Sequence, residues 1–319
     1  MTGRKLIVNA IILVGLAFGA TWLGCKSDSE TTSPPATTTI VAPTNLRAFS
    51  AGPNSVGLLW SLSTSESDAS FNNYLVTTKD PSGTVTGVSN VAKGTPNFTI
   101  LSLVEGTIYT FVVRSTGAAG VVSTDSVSVR SSPTRRYTQD STNGPAIQVY
   151  ELRSTLGASG LQFNSNNAYA KVRSLNGGNP DRLFCDIYID SVGGGAICFK
   201  NIGLLPSYSR NTFFSNEPLR DAADLNDPRS APPDTNSYQL NRVDVPSGVV
   251  AQSKILYARS TTDNKYVRIL IQKNASTNLL YSGSGSDRYV TLQLSYQNAI
   301  GNWFAKPGIH TSTEGSIQQ

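Results

Sequence analysis

The chain has 319 residues, of which 26 are basic, 21 acidic and 15% charged overall. Removing residues 1–24 takes away Arg4 and Lys5 and leaves 24 basic side chains against 21 acidic ones. That balance is not a nucleic-acid footprint, which needs Lys and Arg clustered on one face. Few charges beside many β-branched and turn-forming residues point to an exported all-β protein, and the length accommodates two domains.

The N-terminus opens with Arg4 and Lys5, continues as an apolar run over 6–23 and ends at Trp22-Leu23-Gly24-Cys25. A basic start, an apolar stretch and a small residue before a break in hydrophobicity read as an export signal. A cysteine directly after that small residue resembles the lipobox of bacterial lipoproteins, although Trp22 stands where that motif carries an aliphatic residue. The resemblance implies a signal peptide over 1–24, cleavage before Cys25, lipidation of Cys25 and a body held at a membrane. Two alternatives stay open: ordinary secretion, and an uncleaved anchor, since about 20 apolar residues span a bilayer. Asn9 and the glycines dilute the run. Lys26-Ser27-Asp28-Ser29-Glu30 resembles the surface-export signal of Bacteroidetes-type lipoproteins, which implies an outer-membrane anchor facing the periplasm or the cell surface. Residues 25–41 are Thr/Ser/Pro-rich without apolar periodicity and read as a solvated tether.

Residues 42–132 alternate short β runs with turn signals at intervals near ten residues, the pattern of a β-sandwich. The runs are 45–50, 56–62, 74–78, 85–91, 98–103, 109–114 and 123–129. Ser55-Val56-Gly57-Leu58-Leu59-Trp60, an aromatic at Tyr74, and Leu103-Val104-Glu105-Gly106-Thr107-Ile108-Tyr109 follow in order. Together with Pro43-Thr44-Asn45-Leu46 they resemble the fibronectin type III family, with Glu105 in place of the proline of its tyrosine corner. The resemblance implies an immunoglobulin-like sandwich with Trp60, Tyr74, Leu103 and Tyr109 as structural core, acting as a spacer or adhesive unit. The Arg-Gly-Asp of the family's integrin-binding members is absent.

Residues 133–140, with Pro133 and the pair Arg135-Arg136, read as a solvated linker open to proteolysis. Residues 141–305 form a second β-rich, sandwich-like domain, and 306–319 a flexible tail. Its strand candidates are 146–152, 161–163, 169–173, 183–189, 196–199, 255–260, 266–272 and 289–296. The stretch 203–245 is proline-rich and reads as a long irregular insertion, with a short helix around 219–225. A hairpin turning near Val192 would set Cys185 opposite Cys198, each about six residues from the turn, at the Cβ spacing a disulfide needs. Two buried thiols are the alternative. With one histidine in the chain, the spacing fits no zinc finger.

The Cys185-Asp186-Ile187-Tyr188-Ile189 run, the hairpin from Tyr257 to Ile269 and the terminal run 289–296 resemble the HmuY-like lipoproteins, whose best-known members capture haem. The histidine pair of those carriers has no counterpart. The single histidine is His310 and the single methionine Met1, so haem is not expected unless tyrosines ligate it. No Gly-x-Ser-x-Gly elbow is present. Asp186 and Asp190 share a strand face but lie roughly 13 Å apart at about 3.3 Å per residue, and read as a solvent face rather than a glycosidase pair.

Asp221, Asp224 and Asp227, with Asn226 and Asp234, are the calcium candidates, although their spacing departs from the EF-hand and a solvated acidic loop is the plainer reading. Trp303, Tyr188, Tyr208 and Tyr238 are the aromatics available to a sugar. The chain thus reads as an anchored, non-enzymatic, two-domain β protein without cofactor or metal. Its C-terminal domain would meet a polysaccharide or protein partner. A haem- or nutrient-capture lipoprotein is the first alternative, and an envelope hydrolase the second.

Overall fold

In the computed structural model, which describes residues 39–141, 144–163, 170–175, 180–192, 196–217, 219–225 and 237–302, alternating burial marks the core-facing early strands. The first seven are β1 (Thr44–Gly52), β2 (Ser55–Ser61), β3 (Phe71–Lys79), β4 (Val85–Ala92), β5 (Asn97–Ile100), β6 (Tyr109–Gly117) and β7 (Val127–Ser131). They form a three-stranded sheet, β1-β2-β5, and a four-stranded sheet, β4-β3-β6-β7. Leu46, Ala48, Val56, Leu58 and Trp60 of one sheet meet Tyr74, Val76, Phe111 and Val113 of the other in one core. Successive side chains of a strand point to opposite faces, so each sheet gives alternate residues to that core.

The second region adds β8 (Arg135–Tyr137), β9 (Ile147–Tyr150), β10 (Gly160–Gln162), β11 (Lys171–Arg173), β12 (Ile187–Val192) and β13 (Ala196–Asn201). It continues with β14 (Thr212–Ser215), β15 (Arg220–Ala222), β16 (Tyr238–Leu240), β17 (Arg242–Val245), β18 (Ser253–Ser260), β19 (Lys265–Ile271) and β20 (Tyr289–Tyr296). A five-stranded sheet runs β11-β10-β12-β13-β17, and an eight-stranded sheet runs β16-β14-β18-β19-β20-β8, with β15 on β18 and β9 on β20. Ile187, Ile189, Ile197 and Phe199 pack against Val267, Ile269, Ile271, Leu292 and Leu294, so the protein is all-β with a second layered core. No helix among the described residues is long and apolar enough to cross a membrane.

Several expectations change on contact with the structure. The segment 219–225 contains β15, not a helix: Arg220 pairs with Ile255, and Ala222 and Leu225 bury against Ile255, Tyr257 and Leu270. Pairing to a waiting sheet face overrides local helix propensity. For the same reason the stretch 203–245 carries β14 to β17. The expected linker carries β8, which pairs with β20, and Ser132 and Thr134 are buried.

The expected disulfide is absent, because Cys185 and Cys198 are separate buried thiols. The hairpin closes at the pair Val192–Ala196, which puts Asp190, not Cys185, opposite Cys198. Cys185 lies beyond the last pair, Ile187–Asn201, too far along the strand for the Cα separation below about 7 Å that a disulfide requires.

Candidate binding surfaces

The residues read from the sequence as sandwich core are buried. Trp60 meets Tyr74 edge to face at 5.5 Å, and Phe71 meets Tyr74 at 5.3 Å. Tyr74 donates its hydroxyl to Glu66 Oε1 at 2.6 Å and accepts from the Ser63 N–H at 2.8 Å. Burial, together with the bond to Glu66, pushes its phenol above the ordinary range. Tyr109 accepts from the Val104 N–H at 3.1 Å, the backbone return of a tyrosine corner. Glu105, which stands where the related corner carries proline, pairs with Arg135 at 2.8 Å.

That pair belongs to a polar seam between the two sandwiches. Thr134 donates its N–H to Ser50 Oγ at 2.8 Å and shares a hydroxyl bond with Ser295 at 2.6 Å. Pro133 supplies its carbonyl to the Gly106 N–H at 3.2 Å, and Asn302 Nδ2 reaches both Gly106 O and Ser132 Oγ. The paired arginines are therefore part of the seam: Arg135 holds Glu105, and Arg136 sits in the field of Asp224.

The other sequence candidates do not converge. Asp186 is fully buried and accepts from the Phe163 N–H at 2.7 Å and from Arg210 at 2.6 Å, while Arg210 also holds Asp263. Burial pushes the Asp186 carboxyl up, and Arg210 pulls against it. Asp190 instead pairs with Lys200 at 2.6 Å. Asp221 pairs with Lys254 at 2.8 Å, and no group of three His, Cys, Asp or Glu that could hold a metal occurs among the described residues. Asp227, Asn226, Asp234, Trp303, His310 and Cys25 lie outside the described residues. Tyr188 is buried, and desolvation pushes its phenol up to about 12. Tyr238 meets Tyr266 edge to face at 5.4 Å, and Tyr208 packs on the cluster around Cys185 and Ile202. These tyrosines serve packing.

The open grooves among the described residues include two lined by both aromatic and polar side chains. One, of about 500 Å³, follows the sandwich edge between β4 and β5 and is lined by Thr78, Val88, Phe98, Ile100, Leu101 and Tyr109. The other, of about 360 Å³, lies between the end of β19, the loop 273–282 and the start of β20. Its lining includes Gln272, Lys273, Asn274, Tyr281, Tyr289 and Thr291.

The second groove is built by local bonds. Asn274 Oδ1 accepts from the Ser276 and Thr277 N–H groups, and Asn278 takes φ 58°, a conformation Asn tolerates better than most residues. Asn274 Nδ2 donates to Ser282 Oγ at 2.6 Å. Ser282 and Tyr289 exchange both backbone bonds at 2.9 Å, fixing the two tyrosines on one frame. Tyr289 stacks on its cross-strand partner Tyr150 at 4.9 Å, and Arg288, held by Glu151, lies over Tyr281. The sequence reading missed this set because Tyr150, Tyr281 and Tyr289 come from three separate segments. The alternation in 289–296 marks the strand but not its neighbours.

The fibronectin type III domain family matches residues 41–132, so the chain carries a fibronectin type III domain. Among solved structures, the fn3 domain of human collagen alpha-1(XX) chain is 23% identical, covering 32% of this chain and 90% of that one, with TM-score 0.26. The FN5 domain of Drosophila Lar is 18% identical, covering 29% and 98%, with TM-score 0.23. A two-domain fibronectin type III segment from chicken tenascin is 12% identical, covering 79% and 98%, with TM-score 0.26. None of the curated proteins matches the chain.

Proposed function

We propose that this protein is a membrane-anchored, non-enzymatic binding or adhesion protein, lipidated at Cys25 and meeting its partner through the second β region. The observation that carries the reading is the fibronectin type III domain at 41–132, a binding- or adhesion-type module that is generally non-catalytic. It follows the apolar start and the Thr/Ser/Pro tract directly, which suits a domain standing off a membrane. The seam through Thr134 and Asn302 supports a spacer that transmits position to the second region.

The test is expression of the full chain in a Gram-negative host with labelled fatty acid, followed by binding of the purified protein to polysaccharides and envelope proteins. Label and membrane retention that disappear in Cys25→Ala, with saturable binding to one partner class, are the expected results. A soluble, unlabelled product would remove the anchor. Turnover of glycosides or esters would remove the non-enzymatic reading, and a haem absorbance band would replace adhesion with capture.

A further inference from the structure

We infer that the groove between the end of β19, the loop 273–282 and the start of β20 is a carbohydrate-binding site, with Tyr281 and Tyr289 as its ring platform. This rests on the binding reading above and names its ligand class. The volume of about 360 Å³ lies in the small-ligand range of about 300–1,000 Å³.

The lining combines what a pyranose needs. Tyrosine rings offer an apolar face to the sugar's C–H face and a polar tip to its hydroxyls. Gln272 carries an amide that both donates and accepts, as vicinal hydroxyls do, and Thr291 adds a hydroxyl, while Asn274 and Ser282 bond to each other and hold the loop in shape. Lys273 is the one charged residue of the lining and donates one of its three protons to Ala251 O at 3.0 Å.

A peptide added as a strand fits less well. The backbone of the walls already pairs across the groove: Gln272 N–H with Thr291 O, Asn274 N–H with Leu279 O, and Ser282 with Tyr289 in both directions. Recognition is left to rings and side-chain polar groups, whereas strand addition takes its affinity from main-chain bonds. The platform is also preformed, because Tyr289 rests on Tyr150 and Tyr281 lies under Arg288, so little ordering opposes binding.

The test is a glycan panel on the full-length protein, followed by calorimetric titration of the best polysaccharide against variants. Tyr281→Ala should weaken binding about tenfold or more, while Tyr281→Phe keeps the ring and stays within about threefold. Gln272→Ala, which leaves the backbone bond to Thr291 in place, separates binding from folding: it should weaken binding about fivefold at unchanged Tm. A glycan that binds equally to wild type, Tyr281→Ala and Gln272→Ala overturns this site and leaves the binding reading intact. A protein partner with no glycan bound overturns the ligand class alone. Glycoside turnover at the groove overturns both.

Discussion

Asn302 Nδ2 donates to the carbonyl oxygen of Gly106 at 2.8 Å, tying the end of the second β region to the tyrosine corner of the first. Gly106 has φ +78°, and a Cβ there would lie 2.6 Å from Ala299 Cβ. The corner glycine therefore serves both its own turn and a close approach across the seam. Gly106→Ala should destabilise by about 1–3 kcal/mol through strain and overlap. Calorimetry should show one transition for the wild type and an earlier, broadened or split one for the variant; an unchanged trace would mean the seam carries no weight.

Tyr74→Phe tests the core network. The change keeps the ring contacts with Trp60 and Phe71 but leaves the buried Ser63 N–H and Glu66 Oε1 without the phenol. An unsatisfied buried donor costs about 1–3 kcal/mol, and urea denaturation should show a loss in that range with unchanged m-value.

The Asp186–Arg210 pair predicts an asymmetric cost. Arg210→Met leaves a fully buried carboxylate without its cation and should cost about 3–5 kcal/mol. Adding Asp186→Asn retains an acceptor for the Phe163 N–H and should recover part of that loss. A double variant no better than the single one would show that the carboxylate is not the source of the penalty.

Alkaline stability follows from the buried phenols. Tyr188 is held protonated to about 12 by desolvation, and Tyr74 and Tyr296 are raised as well. An unfolded tyrosine ionises near ~10, so above that pH unfolding releases protons and stability falls. The contribution is complete below ~10 and disappears as pH rises through about 12, at ~1.4 kcal/mol per pH unit for each such group. Absorbance titration near ~295 nm should show part of the 13 tyrosines ionising only with loss of the fold.

Thiol chemistry separates the two cysteine geometries. Cys185 and Cys198 are both fully buried, so neither should react with a thiol reagent in the native protein and both should react after denaturation without reductant. Recovery of a peptide joining the two would contradict the register that sets Cys198 opposite Asp190.

Much of the first sandwich was legible because its signals are local. Alternation places Val56, Leu58 and Trp60 on one face whatever the rest of the chain does, and the spacing from Leu103 to Tyr109 is a turn in itself. The second region was legible where a hairpin is contiguous, as for β18 and β19, which turn with Ser260 opposite Lys265. It failed where distant segments decide. Ala222 is strand because it pairs with Ser253, and Thr134 is buried because Ser50 and Ser295 meet there.

By itself, the sequence determined an all-β chain with a fibronectin type III domain, since period-two hydrophobicity and turn chemistry are properties of neighbouring residues. Only the tertiary structure decided the hairpin register that separates the two thiols, the seam between the sandwiches and the meeting of Tyr150, Tyr281 and Tyr289 beside the second groove. Those depend on which strands lie side by side, and a shift of one residue in pairing turns every side chain to the other face.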